Sequence, residues 1–284
     1  MTPSLQNVVG GLDLRCCDCM DLMRECQDKA FDLAIVDPPY GIGVDGKNLI
    51  PNPNDIANAA MTSRDHTWDS APPPREYFNE LRRVSREQII WGGNYFLDHL
   101  GYCKAPIIWD KLNGASMYAD GEMAWTSKGL PKNLRIWKHQ WCGAFKDSER
   151  GVKRIHPTQK PVRLYEWLLR TYAKPGWRIL DTHLGSGSIA IACHYAGHPL
   201  TACEIDRDYY EAALQRIKRE TAQMTLLDTP NASGEGREVW AQMTLLDTPN
   251  PGVHPSPDAS AGVGGATRCC GSYSEAEKKI VKWG

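Results

Sequence analysis

Hydrophobic positions along the chain switch between a period of two and a period near 3.6. The apolar run Phe31 to Val36 is closed by Pro38 and predicts a short buried strand. In "PPPREYFNELRRVS" the residues Tyr77, Phe78, Leu81 and Val84 recur at helical spacing after a run of prolines, which predicts an amphipathic helix. "QIIWGGNYF" and "APIIWD" read as two further strand ends. Beyond them come a helix in "PVRLYEWLLRTYA", a strand in "WRILDT", a glycine-rich turn "HLGSGS", a helix in "IAIACHYAG", a strand in "LTACEID" and a helix in "DYYEAALQRIKRE". Strands alternating with helices predict an α/β fold, a mostly parallel central sheet with helices on both faces.

Two segments break the rhythm. Lys111 to Lys153 carries Trp125, Trp137 and Trp141, and between Lys128 and Arg154 eight Lys or Arg stand against two acids. One reading is a solvated loop face. The other is a surface that tracks phosphates with Lys128, Lys132, Arg135, Lys138, Arg150, Lys153 and Arg154 and offers tryptophans for stacking. The second segment follows Glu220: Asp228 to Tyr273 holds twelve Gly or Pro and no apolar period, which predicts a flexible tail. The tail ends in "SEAEKKIVKW", where Ser274 and Glu277 form a capping box for a short terminal helix. The expected organisation is a domain over 1–220 with an insert at about 111–153, followed by a tail over 221–284.

Composition narrows the class. At 284 residues and 42% hydrophobic content, one large α/β domain has enough material for a core. The start of the chain has neither a basic segment nor a sustained apolar centre, and no run approaches membrane-spanning length, so a soluble cytoplasmic protein is expected. A formal net charge of −1 gives no global nucleic-acid signature, so any DNA-binding surface is a local patch. The ten cysteines are scattered, and Cys16-x-x-Cys19 has no second pair at zinc spacing. No metal is expected, and the thiols read as reduced and partly buried.

Two patterns carry candidate chemistry. Gly185 and Gly187, between a strand and a helix, bring backbone amides and a helix amino terminus near a ligand, and Glu204 follows at the end of the next strand, where folds of this kind bind ribose hydroxyls. A nucleotide-bearing cofactor is implied; a tight turn with a capping serine is the plainer alternative. The second pattern is "DPPY", Asp37 to Tyr40. The amine on a nucleobase is a poor nucleophile because its lone pair is delocalised into the ring. An enzyme that alkylates it needs two acceptors, and the Asp37 carboxylate and the carbonyl of Pro38 suit those roles. Pro39 stiffens the turn, and Tyr40 offers a flat face for an extruded base.

These motifs resemble the amino DNA methyltransferases that use S-adenosyl-L-methionine, in the permuted order called the β class. The resemblance covers about residues 10 to 220: "DPPY" comes first, the basic insert next, then "HPTQKP" at His156 to Pro161 and "LDTHLGSGS" at Leu180 to Ser188. It implies a Rossmann-like methyltransferase fold with a small target-recognition insert, double-stranded DNA as substrate and a flipped-out base. Asp37, Pro38, Pro39 and Tyr40 resemble the catalytic motif. Asp18 with Cys19 resembles the segment contacting the cofactor adenine, and His156, Thr158 and Lys160 the segment beside its methionine. Asp181, Gly185, Ser186 and Gly187 resemble the glycine motif, and Glu204 the ribose-binding acid. Thr182-His183 departs from the commoner Pro-Phe of the family. Asp37 at the first motif position favours adenine N6 over cytosine N4. Cytosine C5 chemistry is disfavoured, since it typically uses a Pro-Cys nucleophile and the chain has no Pro-Cys pair. An RNA or protein methyltransferase and a catalytically silent DNA- or clamp-binding protein stay as alternatives. The resemblance also suggests restriction-modification systems as a setting and a monomer or homodimer.

One feature lies outside this resemblance. "AQMTLLDTPN" occurs at 222–231 and again at 241–250. Gln223 to Leu227 and Gln242 to Leu246 look like the short peptide that docks into the bacterial sliding clamp, and two copies on a flexible tether suit multivalent capture. A duplication without function, or a helix end packed on the domain, is the alternative. Deleting both copies is expected to leave methylation of short duplexes intact and to abolish co-elution with the clamp; unchanged co-elution sinks the idea.

Overall fold

A computed structural model describes residues 5–43, 68–114, 119–142, 145–152 and 154–227. Lys153, the second copy of the repeat and the capping box at Ser274 lie outside the described residues. A nine-stranded sheet forms the frame, in the order β1 (Leu5–Val9), β2 (Leu12–Cys16), β11 (Leu200–Glu204), β10 (Ile179–Asp181), β3 (Phe31–Val36), β4 (Ser85–Trp91), β6 (Gly121–Thr126), β5 (Ile107–Asp110) and β7 (Arg135–Lys138). β2, β11, β10, β3 and β4 run parallel; β1 and β6 are antiparallel to their neighbours, and β7 lies parallel to β5 at the edge. A two-stranded ribbon, β8 (Trp141–Cys142) with β9 (Phe145–Lys146), stands apart from it.

The central strands read as unbroken apolar runs because both faces are covered. Leu33 and Ile35 point into one core, with Ile89, Trp91, Leu164, Leu168, Ile189 and Ile217. Ala34 and Val36 point into the other, with Leu22, Tyr77, Phe78, Leu81 and Ile90. The first core lies under α4 (Val162–Tyr172), α5 (Ser188–Ala196) and α6 (Arg207–Leu227), the second under α1 (Cys19–Glu25) and α2 (Arg75–Val84). A single turn, α3 (Leu97–Leu100), follows β4. No helix among the described residues is long and apolar enough to cross a membrane.

From β3 the chain winds one way to β4, and from β10 it winds the other way to β11. The crevice outside the carboxyl ends of β3 and β10 is therefore the topological switch point, where open α/β sheets bind ligands. Asp37 and Pro38 leave β3 at that crevice, and the glycine turn leaves β10.

Two expectations are corrected. The segment 111–153 does not interrupt the sheet: Gly121–Thr126 inserts between β4 and β5, and Arg135–Lys138 extends the edge. Trp125 is buried on β6 and Trp141 on the ribbon strand β8, each 6% exposed, with their indole N–H groups donated to the carbonyls of Gly101 and Gln159. Neither offers a face for stacking a base. The last helix also runs past Glu220 to Leu227, so the first copy of the repeat begins on a helix and not on the tail.

Candidate active site

Asp37 sits one residue past β3, and Pro38 ends the strand because it has no N–H to donate to a ladder. The Asp37 carboxylate has both oxygens engaged: Oδ1 accepts the Tyr40 hydroxyl at 2.6 Å and Oδ2 accepts Lys160 Nζ at 2.5 Å. Tyr40 stacks on Tyr95, with ring centroids 5.1 Å apart and planes at 18°. Its ring edge passes directly over Gly92, which lies at φ 69°; a Cβ there would fall 2.2 Å from the ring. The turn after Tyr40 is pinned by buried Asp69, whose carboxylate accepts the Gly41 N–H at 2.8 Å.

Lys160 is buried and donates also to Glu122 Oε2 at 3.1 Å, while Glu122 Oε1 accepts Lys111 at 2.5 Å. Burial, with the Glu122 carboxylate, pushes the Asp37 carboxyl above its ordinary range against the pull of the Lys160 ammonium. Glu122 is buried too, but its two lysines overcome that cost and hold it down at about 2. Burial acts to lower Lys160, and the two carboxylates more than offset it, so the ammonium is retained.

Lys160 arrives on the segment before α4, which is tied down at several points. Its carbonyl accepts Ser188 Oγ at 2.7 Å, and Gln159 takes the Trp141 indole N–H on its carbonyl. Arg216 of α6 donates to the Ser186 carbonyl at 2.8 Å, to Ser188 Oγ at 2.9 Å and to Glu149 at 2.8 Å, linking helix, glycine turn and loop. His156 lies against Tyr209 and Trp68, with centroids 4.5 and 5.4 Å away, and its Nδ1 is 3.1 Å from Thr158 Oγ1.

On the other side of the crevice the glycine turn follows β10. Gly185 and Gly187 have φ of 51° and 75°, the left-handed region where a side chain is strained. Glu204, at the end of β11, accepts the Gly185 N–H at 2.8 Å and the Asp206 N–H at 3.0 Å, one on each oxygen. The carboxylate keeps acceptor capacity for a further donor. Asp181 is buried and accepts the His183 N–H at 3.0 Å. His183 is packed edge-on against Tyr77 and pushed down to about 4 by burial. Asp18 caps α1 by accepting the Met20 N–H at 2.7 Å, and the Cys17 N–H donates to the Glu204 carbonyl, so Asp18 and Cys19 enter α1 beside the Glu204 strand end. Cys19 is half-buried, its thiol pushed up to about 12 by burial.

The candidate residues thus form two groups flanking one crevice, except that Lys160 reaches across to Asp37. The basic residues do not form one face. Lys138 closes β7 beside the end of β5, on the crevice edge of the sheet. Lys132 lines a cleft with Asp32, Arg86, Lys174 and Trp177 at the opposite edge. Lys128, Arg135 and Arg150 are exposed, and Arg154 is half-buried with its guanidinium 5.6 Å over the Trp141 ring. Sequence reasoning missed Glu122, Lys111, Arg216, Asp69 and Tyr95. A lone acid inside "GEMAWT" gives no sign that its strand crosses beside β4, so only the sheet order reveals Glu122.

Residues 110–215 match the family model described as DNA methylase, N6_N4_Mtase, a span holding Glu122, Lys160, the glycine turn and Glu204 but not Asp37. The chain is 26% identical over 210 residues to YubD of Escherichia coli (strain K12), whose name carries it only as a candidate methylase; 70% of this chain and 87% of that protein are covered. It is 22% identical over 244 residues to the type II methyltransferase M.HinfI of Haemophilus influenzae, covering 71% and 67%. The solved complex of M1.HpyAVI with SAM superposes at a TM-score of 0.45 and 18% identity, over 72% of this chain and 98% of that one. The family match and the curated relatives support an amino-DNA methyltransferase of the N6/N4 family.

Proposed function

We propose that the protein transfers a methyl group from S-adenosyl-L-methionine to N6 of an adenine flipped out of double-stranded DNA. The observation that carries this reading is the juxtaposition of the Asp37-Pro38-Pro39-Tyr40 turn and the glycine turn of Gly185 to Gly187 at one switch point. The residues fit the cofactor. Glu204 keeps acceptor capacity for ribose hydroxyls, and Gly185 holds a left-handed turn with no atom closer than 3.7 Å to where a Cβ would stand. Asp18, Cys19, Asp181 and Ser186 border the same side, and His156 and Thr158 close it. When bound, S-adenosyl-L-methionine supplies a methyl made electrophilic by its sulfonium.

The rest falls to this chain. Asp37 and the Pro38 carbonyl each accept one N–H of the target amine, which holds the nitrogen lone pair out of conjugation with the ring. Tyr40, backed by Tyr95, supports the base by stacking. The N–C bond would form as the methyl's bond to sulfur breaks, its electron pair staying with a neutral thioether; the nitrogen gains positive charge, which the Asp37 carboxylate stabilises and whose surplus proton it accepts for release to water. No enzyme-bound covalent intermediate is required.

Adenine is preferred over cytosine N4 because Asp stands first in the motif, in keeping with the resemblance. The test is methyl transfer from labelled cofactor to unmethylated genomic DNA, read by nucleoside mass spectrometry, with Asp37→Ala in parallel. N6-methyladenine is expected from the wild type, and at least a 100-fold loss in the variant, the scale for losing an oriented acceptor. N4-methylcytosine transfers the reading to the cytosine branch, and no methylated base on DNA overturns it.

A further inference from the structure

The amine of a target base and the ammonium of Lys160 compete for the same atom. Asp37 Oδ1 is held by Tyr40 at 2.6 Å, and Oδ2, the oxygen left for an amine, is held by Lys160 at 2.5 Å. Resting on the methyl-transfer reading above, we infer that Lys160 occupies the place of the target amine in the free enzyme and that Glu122 is the positioning residue that takes its ammonium when the base enters.

The geometry contains the second half of this exchange. Glu122 Oε2 lies 3.1 Å from Lys160 Nζ, so the ammonium is already within hydrogen-bond reach of both carboxylates. Moving from Asp37 to Glu122 needs only a small swing of a side chain whose segment is fixed through the Ser188 and Trp141 bonds. Lys111 on Glu122 Oε1 completes the set, two carboxylates and two ammonium groups, so the cluster is neutral before the base arrives and stays so after a neutral amine enters. Without Glu122 the ammonium would have a single carboxylate within reach, and displacing it would leave a buried charge unpaired, which is strongly unfavourable. The lysine also has a use while the pocket is empty, since it satisfies an Asp37 oxygen that is otherwise costly to bury.

The groups facing Lys160 are Asp37 and Tyr40 from the β3 turn, Glu122 from β6, Trp91 from β4, and, at longer range, Tyr165 of α4 and Asp181 of β10, which share the cluster's field. Of these groups, Asp37 and Glu122 are the two carboxylates in ion-pair contact with the ammonium.

The decisive comparison is Glu122→Gln against the double variant Glu122→Gln with Lys160→Met, in steady-state methylation of a short duplex, with cofactor binding by calorimetry and a target-site 2-aminopurine as a fluorescence report of base entry. Glu122→Gln is expected to lower kcat about 30-fold, to weaken the 2-aminopurine response and to leave cofactor affinity within twofold. The double variant recovers at least fivefold of the loss, because it removes the competing ammonium. It also keeps the cluster's charge balanced, so it remains informative if the single variant folds poorly. Unchanged kcat in Glu122→Gln, or a double variant worse than the single one, overturns the inference and leaves the methyltransferase reading intact. A wild type that binds cofactor but methylates no DNA overturns both.

Discussion

Asp181 ends β10, only 3% exposed, and its carboxyl accepts one backbone N–H, from His183. Burial pushes this carboxyl up to about 8; Asp37 and Glu204 add to the push, and the His183 amide opposes it. An unfolded chain sheds the same proton near pH 3.9. Between about pH 4 and pH 8 the native state therefore binds one proton more than the unfolded state, and stability falls as pH rises through that window, at up to about 1.4 kcal/mol per unit. Asp181→Asn keeps an oxygen for the His183 N–H and has no proton to lose. Its urea midpoint is expected to exceed the wild type's at pH 8 and to converge with it near pH 4. Equal midpoints at pH 8 would mean that folding does not hold the proton on this carboxyl above its ordinary range. At the same scale, Asp37 shows how a residue can be legible while its surroundings are not. Its type and its neighbours Pro38 and Tyr40 identify it from the sequence, but its ionic partner is 123 positions away.

Among the elements, legibility followed the strength of the local period. The amphipathic spacing of Tyr77, Phe78, Leu81 and Val84 appears as the buried face of α2, and the apolar run Phe31 to Val36 as a strand buried on both sides. The carboxyl-terminal half was read in the right order because each of its strands is closed by a turn residue or an acid. What periodicity could not reveal was adjacency. β6 is a later strand than β5 yet stands between β5 and β4, a placement dictated by antiparallel pairing with Ile89, Ile90 and Trp91. That crossover carries Glu122 to Lys160 and turns Trp125 inward. The helical start of the first repeat copy is hidden in the sequence for a related reason. Its opening residues continue the helix of the preceding segment, where buried Ile217 and Thr221 lie one turn apart, and the glycines and prolines that signal a tail start only later.

For the whole molecule, the net charge of −1 means that DNA affinity must come from where cations stand and not from how many there are. β7 runs parallel to β5, so Lys138 lies at the crevice edge and Arg135 about 10 Å back along the strand, at a rise of about 3.3 Å per residue. Lys132 lies further back, in the cleft with Asp32 and Arg86 at the amino ends of β3 and β4. On the proposed function, a duplex that delivers a base to Asp37 would approach the crevice edge and leave the opposite edge in solvent. Lys138→Gln should therefore reduce the slope of log affinity against log salt by about one phosphate contact, weakening binding alike for all sequences, whereas Lys132→Gln should leave the slope unchanged. Titrating a labelled duplex between 50 and 200 mM salt, on the order where counterion release dominates, separates the two variants. Equal losses would require DNA to wrap the sheet from one edge to the other, and the approach through the switch point would have to be abandoned. A loss confined to Lys138 fixes the side from which DNA meets Asp37, and with it the face on which sequence-reading side chains must be sought.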